Sequence, residues 1–263
     1  MSIKSVHAGH GGRKNGNTWT DPGAVGCGYK EADVARTITA MMVKKAGLKN
    51  VTDNAGTTAN AIVNNVANNI NKCSDGWHIS NHLNAFNGSA TGVEVLYGSM
   101  DSKATAAKLS AAIAKALGLV DRGAKDGTWL GIARNSGAGK KVLLIEWGFI
   151  DNPSDMKTLM TKMDDAVNAA LEVMGCKSSS NEGTANMANN KSYIQSARRV
   201  EVIREGGDQE YTDLDFKTMR GNYYPKGSKL LVKEVVKHGN ITRLLLESGG
   251  YFTANEAYVK KLR

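Results

Sequence analysis

Between residues 1 and 176 the apolar positions of the chain alternate between two spacings. Ser2–His7, Gly76–Ser80 and Gly92–Tyr97 are short strand-like runs, and Lys141–Phe149 is almost continuously apolar, as in a strand buried on both faces. Helical spacing separates them. Ala35, Ile38, Met41 and Met42 share one face of a predicted helix over Lys30–Lys45. Ile62, Val63, Val66, Ile70 and Cys73 do the same over Thr58–Cys73, where the opposite face is rich in Asn, a poor helix former. Asp101–Leu117 is an Ala-rich helix, with Asp101 or Ser102 as N-cap and Gly118 as its stop, and Ser154–Met174 is a last helix ending before Gly175. Strands and helices in alternation predict an α/β domain with helices on both faces of a sheet.

The pattern then changes. Residues 177–192 are small and polar with a single apolar Met, too little apolar surface to offset the entropy of ordering, so they are expected to be a flexible linker. From 193 to 263, Arg199–Arg204, Lys229–Val236, Thr242–Glu247 and Tyr251–Thr253 read as short strands between Gly-containing turns, which suits a small all-β domain. Aromatics are dense here, among them Tyr193, Tyr211, Phe216, Tyr223, Tyr224, Tyr251, Phe252 and Tyr258.

Composition narrows the partners. With 263 residues, 41% hydrophobic and 22% charged, the chain can bury a core and is not disordered overall. A formal net charge of +9 favours polyanionic partners such as nucleic acid, anionic membranes or anionic wall polymers. The charge is dispersed, with no basic arm and no nucleic-acid-binding signature, so nucleic acid is not expected. No apolar run approaches the length of a membrane span, so no membrane insertion is expected. The N-terminal residues lack an apolar secretory core, and no signal peptide is expected. Cys27, Cys73 and Cys176 are widely spaced and odd in number, which gives neither a disulfide framework nor a zinc knuckle.

Three polar clusters carry the chemistry. His10 follows the first strand in a Gly-flanked turn, His82 sits among Ser80, Asn81 and Asn84, and Glu146 ends the apolar run Val142–Ile145. Each lies at or just after a strand, and Glu31 lies in the first turn of the helix after the first strand, where open α/β sheets gather ligands. Two imidazoles and a carboxylate can hold a zinc ion with one position open, and a further carboxylate can move protons. Which carboxylate does which is open at this level. Glu146 is the sharpest signal, because a carboxylate buried unpaired after such a run costs several kcal/mol; a metal or its water explains it better than a salt bridge. Glu31 alone is weaker, since the helix dipole favours an acid there, and Asp33 is a rival. His7 competes with His10 and reads as a packing residue or one that supports a ligand from behind, and His78 reads as structural: on a strand His78 and His82 share a face but stand more than about 12 Å apart.

His7–Gly12 (H-A-G-H-G-G), Asp21–Ala24 (D-P-G-A), Gly28–Glu31 (G-Y-K-E), Ser80–Ala85 (S-N-H-L-N-A), Gly92–Tyr97 (G-V-E-V-L-Y) and Ile145–Asn152 (I-E-W-G-F-I-D-N) stand in the order found in zinc-dependent N-acetylmuramoyl-L-alanine amidases of the amidase-3 type. The chain resembles that family over roughly residues 1–176, with one departure: His7-Ala8 where the family usually has D-x before G-H-G-G. The resemblance implies a twisted mixed sheet flanked by helices, Zn²⁺ bound by His10, Glu31 and His82, and Glu146 as the catalytic carboxylate. Residues 193–263 resemble, more loosely, a small SH3-like wall-associated module.

The organisation expected is therefore a catalytic domain over 1–176, a linker over 177–192 and a wall-binding module over 193–263. The activity expected is hydrolysis of the amide between N-acetylmuramic acid and L-alanine, with peptidoglycan as substrate and anionic wall polymers as a second partner. The expected absence of a signal peptide favours, within the resemblance, a bacteriophage endolysin, held in the host cytoplasm until lysis, over a secreted autolysin. A zinc carboxypeptidase, for which Arg134 would clamp a terminal carboxylate, and a non-catalytic wall-binding protein are the competing readings.

Overall fold

The computed structural model describes residues 2–16, 18–176, 192–204, 207–216 and 219–262. It divides into two compact units, Met1–Ser179 and Ser180–Arg263. The linker expected over 177–192 lies, except for Ser192, outside the described residues.

The first unit opens with β1 (Ile3–Ala8), a hairpin of β2 (Gly11–Asn15) and β3 (Thr18–Asp21), and a two-residue pair, β4 (Val25–Gly26) and β5 (Tyr29–Lys30). Then follow α1 (Glu31–Ala46), α2 (Ala59–Asn71), β6 (Gly76–Asn84), β7 (Val93–Tyr97), α3 (Lys103–Leu117), β8 (Asp121–Asp126), α4 (Gly131–Asn135), β9 (Lys140–Phe149) and α5 (Pro153–Val173). Five strands form a mixed sheet in the order β1-β6-β9-β7-β8; only the β9–β7 pair is antiparallel.

Helices cover both faces. On one, α1, α3 and α5 pack on the sheet and on each other, and Asn81 of β6 donates to Thr39 Oγ1 of α1 at 2.9 Å while accepting from Trp147 Nε1 of β9 at 3.0 Å. On the other, Val142 of β9 packs with Val66 and Ile70 of α2 and Ile132 of α4. Strand alternation then sets the address of every later residue: Glu146, two pleats beyond Val142, shares the α2 face, whereas Ile145 and Trp147 point to the α1 face.

The element ends follow local chemistry. Thr58 Oγ1 accepts from Ala61 N at 3.2 Å to cap α2, and Asn152 Oδ1 caps α5, where Pro153 takes the first helical position. Of the two N-cap residues expected for α3, Ser102 holds the position, with its hydroxyl 2.8 Å from Ser99 Oγ and no side-chain bond to the helix, and Asp101 belongs to the preceding 3₁₀ turn. β6 runs to Asn84, four residues past the expected Ser80, so His82 lies within a strand.

The second unit is all β: β10 (Arg199–Val202), β11 (Asp208–Tyr211), β12 (Met219–Tyr224), β13 (Lys229–His238), β14 (Ile241–Leu246), β15 (Tyr251–Thr253) and β16 (Val259–Leu262). They form one seven-stranded antiparallel sheet, ordered β12-β11-β15-β14-β13-β10-β16, around Val200, Val232, Leu244, Leu246, Phe252 and Val259. Among the described residues, no helix is long and apolar enough to cross a membrane.

Candidate metal centre

β1 and β6 run parallel, with Ala8 opposite Asn81, so the chain leaving β1 passes beside the end of β6. Gly9 makes that passage workable: a Cβ there would fall 2.1–2.5 Å from ring atoms of His82, so any side chain at this position would occupy the space of the imidazole. The next residue, His10, holds φ at +59°, a left-handed conformation that costs a non-glycine residue energy and that clusters at functional sites. The two rings meet edge to face with centroids 5.0 Å apart.

Glu31, the first residue of α1, is buried between them. Its Oε1 lies 2.9 Å from His82 Nδ1 and 3.3 Å from His10 Nε2, and also accepts from Leu83 N at 3.0 Å. Its Oε2 accepts from Ala24 N at 2.9 Å. One donor atom from each of His10, Glu31 and His82 lies within 4.8 Å of the others. Burial works against the Glu31 anion, but the hydrogen bonds and charges of His10 and His82 outweigh it and hold the carboxyl well below its usual range. Burial likewise works against a charged His10, and there Glu31 and Asp21 win, raising the imidazole to about 9.

The donor set fits a divalent ion. Two nitrogens and one carboxylate oxygen on three elements are a tetrahedral set with one position open, the composition favoured by zinc. Asp21 Oδ2 sits 2.9 Å from His10 Nδ1 and so fixes the tautomer that turns Nε2 toward Glu31, the carboxylate–imidazole arrangement common behind metal ligands. The sequence departure at His7-Ala8 therefore leaves His10 supported, from the D-P-G-A segment rather than from β1.

Glu146 lies in β9 directly across from His82 of β6 on one side and from Glu94 of β7 on the other. Its Oε2 is enclosed and has no hydrogen-bond partner among the described residues. Burial, then the anions Glu31 and Glu94, push this carboxyl up to about 8, against a smaller pull from His10. A base near neutrality beside a metal-type cluster can take a proton from water and give it back.

The remaining candidates lie elsewhere. His78 pairs with Ser5 Oγ at 2.8 Å, and burial lowers its pKa to about 4; burial, then His82 and His78, lower His7 to about 3. Asp33 accepts from Trp19 Nε1 at 2.8 Å and is outside the cluster. Arg134 is exposed on α4, whose Ala133 packs at Gly98 beside Val142, about 13 Å by strand rise from Glu146. Asn84, expected beside His82, donates instead to Glu94 Oε1 at 2.9 Å, and Asp21, Glu94 and Arg122 were not singled out individually by sequence reasoning. The repeated polar positions in D-P-G-A, S-N-H-L-N-A and G-V-E-V-L-Y were the available signal.

A family model described as N-acetylmuramoyl-L-alanine amidase matches residues 5–173, and one described as a domain of unknown function (DUF5776) matches residues 188–259. No curated protein matches the chain. Among solved structures, the catalytic domain of an endolysin targeting Clostridia difficile is 24% identical with a TM-score of 0.56, over 67% of this chain and 98% of that one. An N-acetylmuramoyl-L-alanine amidase from Clostridium difficile 630 is 21% identical with a TM-score of 0.53, over 72% of this chain and 100% of that one. The catalytic domain of an N-acetylmuramoyl-L-alanine amidase from Bacillus (Paenibacillus) polymyxa is 24% identical with a TM-score of 0.50, over 67% and 100%. These three structures share the fold of the first unit.

Proposed function

The chain belongs to the N-acetylmuramoyl-L-alanine amidase family, and on that premise we propose a zinc-dependent endolysin that cuts the bond between the lactyl group of N-acetylmuramic acid and L-alanine of the stem peptide. The observation that carries the reading is the convergence of His10, Glu31 and His82, with the unpartnered Glu146 carboxylate on the strand next to His82.

In this reading His10, Glu31 and His82 hold the ion. Zinc bound there supplies Lewis acidity toward the scissile carbonyl and lowers the pKa of a water. Asp21 keeps His10 in the tautomer that leaves Nε2 free. Glu146 accepts the proton of the attacking water at its open oxygen and returns it to the departing amine of L-alanine; a carboxyl near neutrality suits both directions.

The second unit is the wall-associated part of the proposal. We assign it an SH3-like binding role toward peptidoglycan or anionic wall polymers, supported by its separate β core and its aromatic density. An amidase unit joined to such a module suits an enzyme that stays in the host cytoplasm until lysis and then meets the wall.

Mass spectrometry of peptidoglycan digested by the zinc-loaded chain tests the reading. The expected products are stem peptides with new free L-alanine amino termini and glycan strands with free lactyl groups, as cell turbidity falls. Free amino acids trimmed from stem ends would make it a carboxypeptidase. Wall binding with no new termini would make it a non-catalytic binder.

A further inference from the structure

Next to Glu146, on the side away from the three candidate ligands, the sheet carries a second charged device. Glu94 of β7 faces Glu146, and its carboxylate is held from two directions: Asn84 Nδ2 donates to Oε1 at 2.9 Å, and Arg122 Nε donates to Oε2 at 2.8 Å. Arg122 belongs to the edge strand β8 at a bulge. Val93 pairs with Asp121 and Glu94 with Gly123, so Arg122 is the extra residue between them, and Gly123 takes φ +77° to complete the bend. Bulges of this kind re-aim a side chain and recur beside active sites.

The re-aimed guanidinium lies 5.0 Å from the Phe149 ring centroid and lines a cavity of about 380 Å³ with Asn84, Phe86 and Phe149. Arg122 gives Glu94 only its Nε–H, and among the described residues the two terminal nitrogens of the guanidinium have no hydrogen-bond partner. Those two nitrogens are the fork that binds a carboxylate in bidentate fashion. Two strand spacings separate β8 from β9, so the Arg122 backbone lies about 10 Å from that of Glu146, within the span of one or two peptide residues and a side chain.

The substrate's own chemistry decides which part of it fits there. The N-acetylated sugars are uncharged, and the lactyl carboxyl is consumed in the scissile amide. Every free carboxylate of the substrate is therefore on the peptide side. Glu146 must also reach the departing amine, which puts the peptide on its side of the site. We propose that Arg122 is a specificity residue that binds the free α-carboxylate of the second stem residue, with Glu94 and Phe149 fixing the guanidinium; this rests on the amidase reading above.

The test uses two synthetic substrates, N-acetylmuramoyl-L-alanyl-D-glutamate and its isoglutamine counterpart, in which that carboxylate is an amide. The zinc-loaded chain should prefer the free acid by about 10–100-fold in kcat/KM, the range of a charge-assisted hydrogen-bonded pair. Arg122→Gln should collapse the preference to near one, with an unchanged thermal unfolding midpoint showing that the variant is folded. Arg122→Lys, which keeps the charge without the fork, should retain only part of it. Equal rates on both substrates with the native chain, a preference that survives in Arg122→Gln, or an equal fall on both substrates would overturn the assignment while leaving the amidase reading intact. Cleavage of neither at the lactyl amide would overturn the amidase reading, and the assignment with it.

Discussion

Each unit of the chain encloses a carboxylate, and their surroundings differ in kind. Glu210, fully buried in the second unit, is saturated: Ser248 donates to Oε1, Asn222 Nδ2 donates to Oε2 at 2.6 Å, and Tyr224 OH donates to Oε2 at 3.1 Å. Burial works against its charge, but those hydrogen bonds prevail and keep its pKa below the ordinary value. Glu146 in the first unit has an enclosed oxygen with no hydrogen-bond partner among the described residues, and burial with two neighbouring anions drives its pKa up. A saturated carboxylate holds structure together. An unsaturated one costs stability, and a fold retains such a cost where the group has work to do.

Three substitutions or conditions sharpen that contrast. Glu146→Gln should lower amidase turnover by about 10²–10⁴-fold, the usual contribution of a proton-transferring side chain, with thermal stability unchanged or raised. A loss of stability comparable to the loss of turnover would erase the distinction between the two carboxylates. Glu210→Ala should do the reverse. It removes the buried acceptor of three side-chain hydrogen bonds, from Ser248, Asn222 and Tyr224, so the second unit should lose about 1–3 kcal/mol, visible in denaturant unfolding, while hydrolysis of a soluble muropeptide stays at the native rate. The smallest effect concerns pH in the metal-free protein. The folded state keeps the Glu146 proton from the ordinary value of 4.5 up to about 8, whereas the unfolded chain releases it, so stability should fall as pH rises through that window. His10, raised from 6.5 to about 9, contributes stability that is full below 6.5 and lost above it, so the decline between 4.5 and 6.5 belongs to Glu146 alone among these two. Glu146→Gln should flatten that part of the curve in the presence of a chelator, and an unchanged slope would contradict the assignment.

What the sequence made legible follows from which signals are local. The buried strands and the amphipathic helices appear at the expected places because their apolar periodicity is a direct record of two-sided burial in β9 and one-sided burial in α1 and α2. β8 left no such record: Asp-Arg-Gly-Ala-Lys-Asp is polar throughout because it is an exposed edge strand, paired on one side only. The hairpin of β2 and β3 was missed for the same reason, since most of its residues face solvent. In the site, His10, His82 and Glu146 stood out as polar residues at strand ends. Glu31 did not, because an acid at a helix start is ordinary; only the convergence of both imidazoles on one of its oxygens marks it. Glu94 and Arg122 depend on cross-strand register and a bulge, which no single segment encodes.

In the proposed function these carboxylates divide the labour: Glu31 would hold the metal and Glu146 would stay free of it. The direct measurement is the zinc content of purified Glu146→Gln by atomic emission. The expected result is about one ion per chain, as in the native protein and as for a single three-ligand site, in a sample whose turnover is lost. A variant that no longer retains zinc would show that Glu146 is itself a ligand and would contradict the claim.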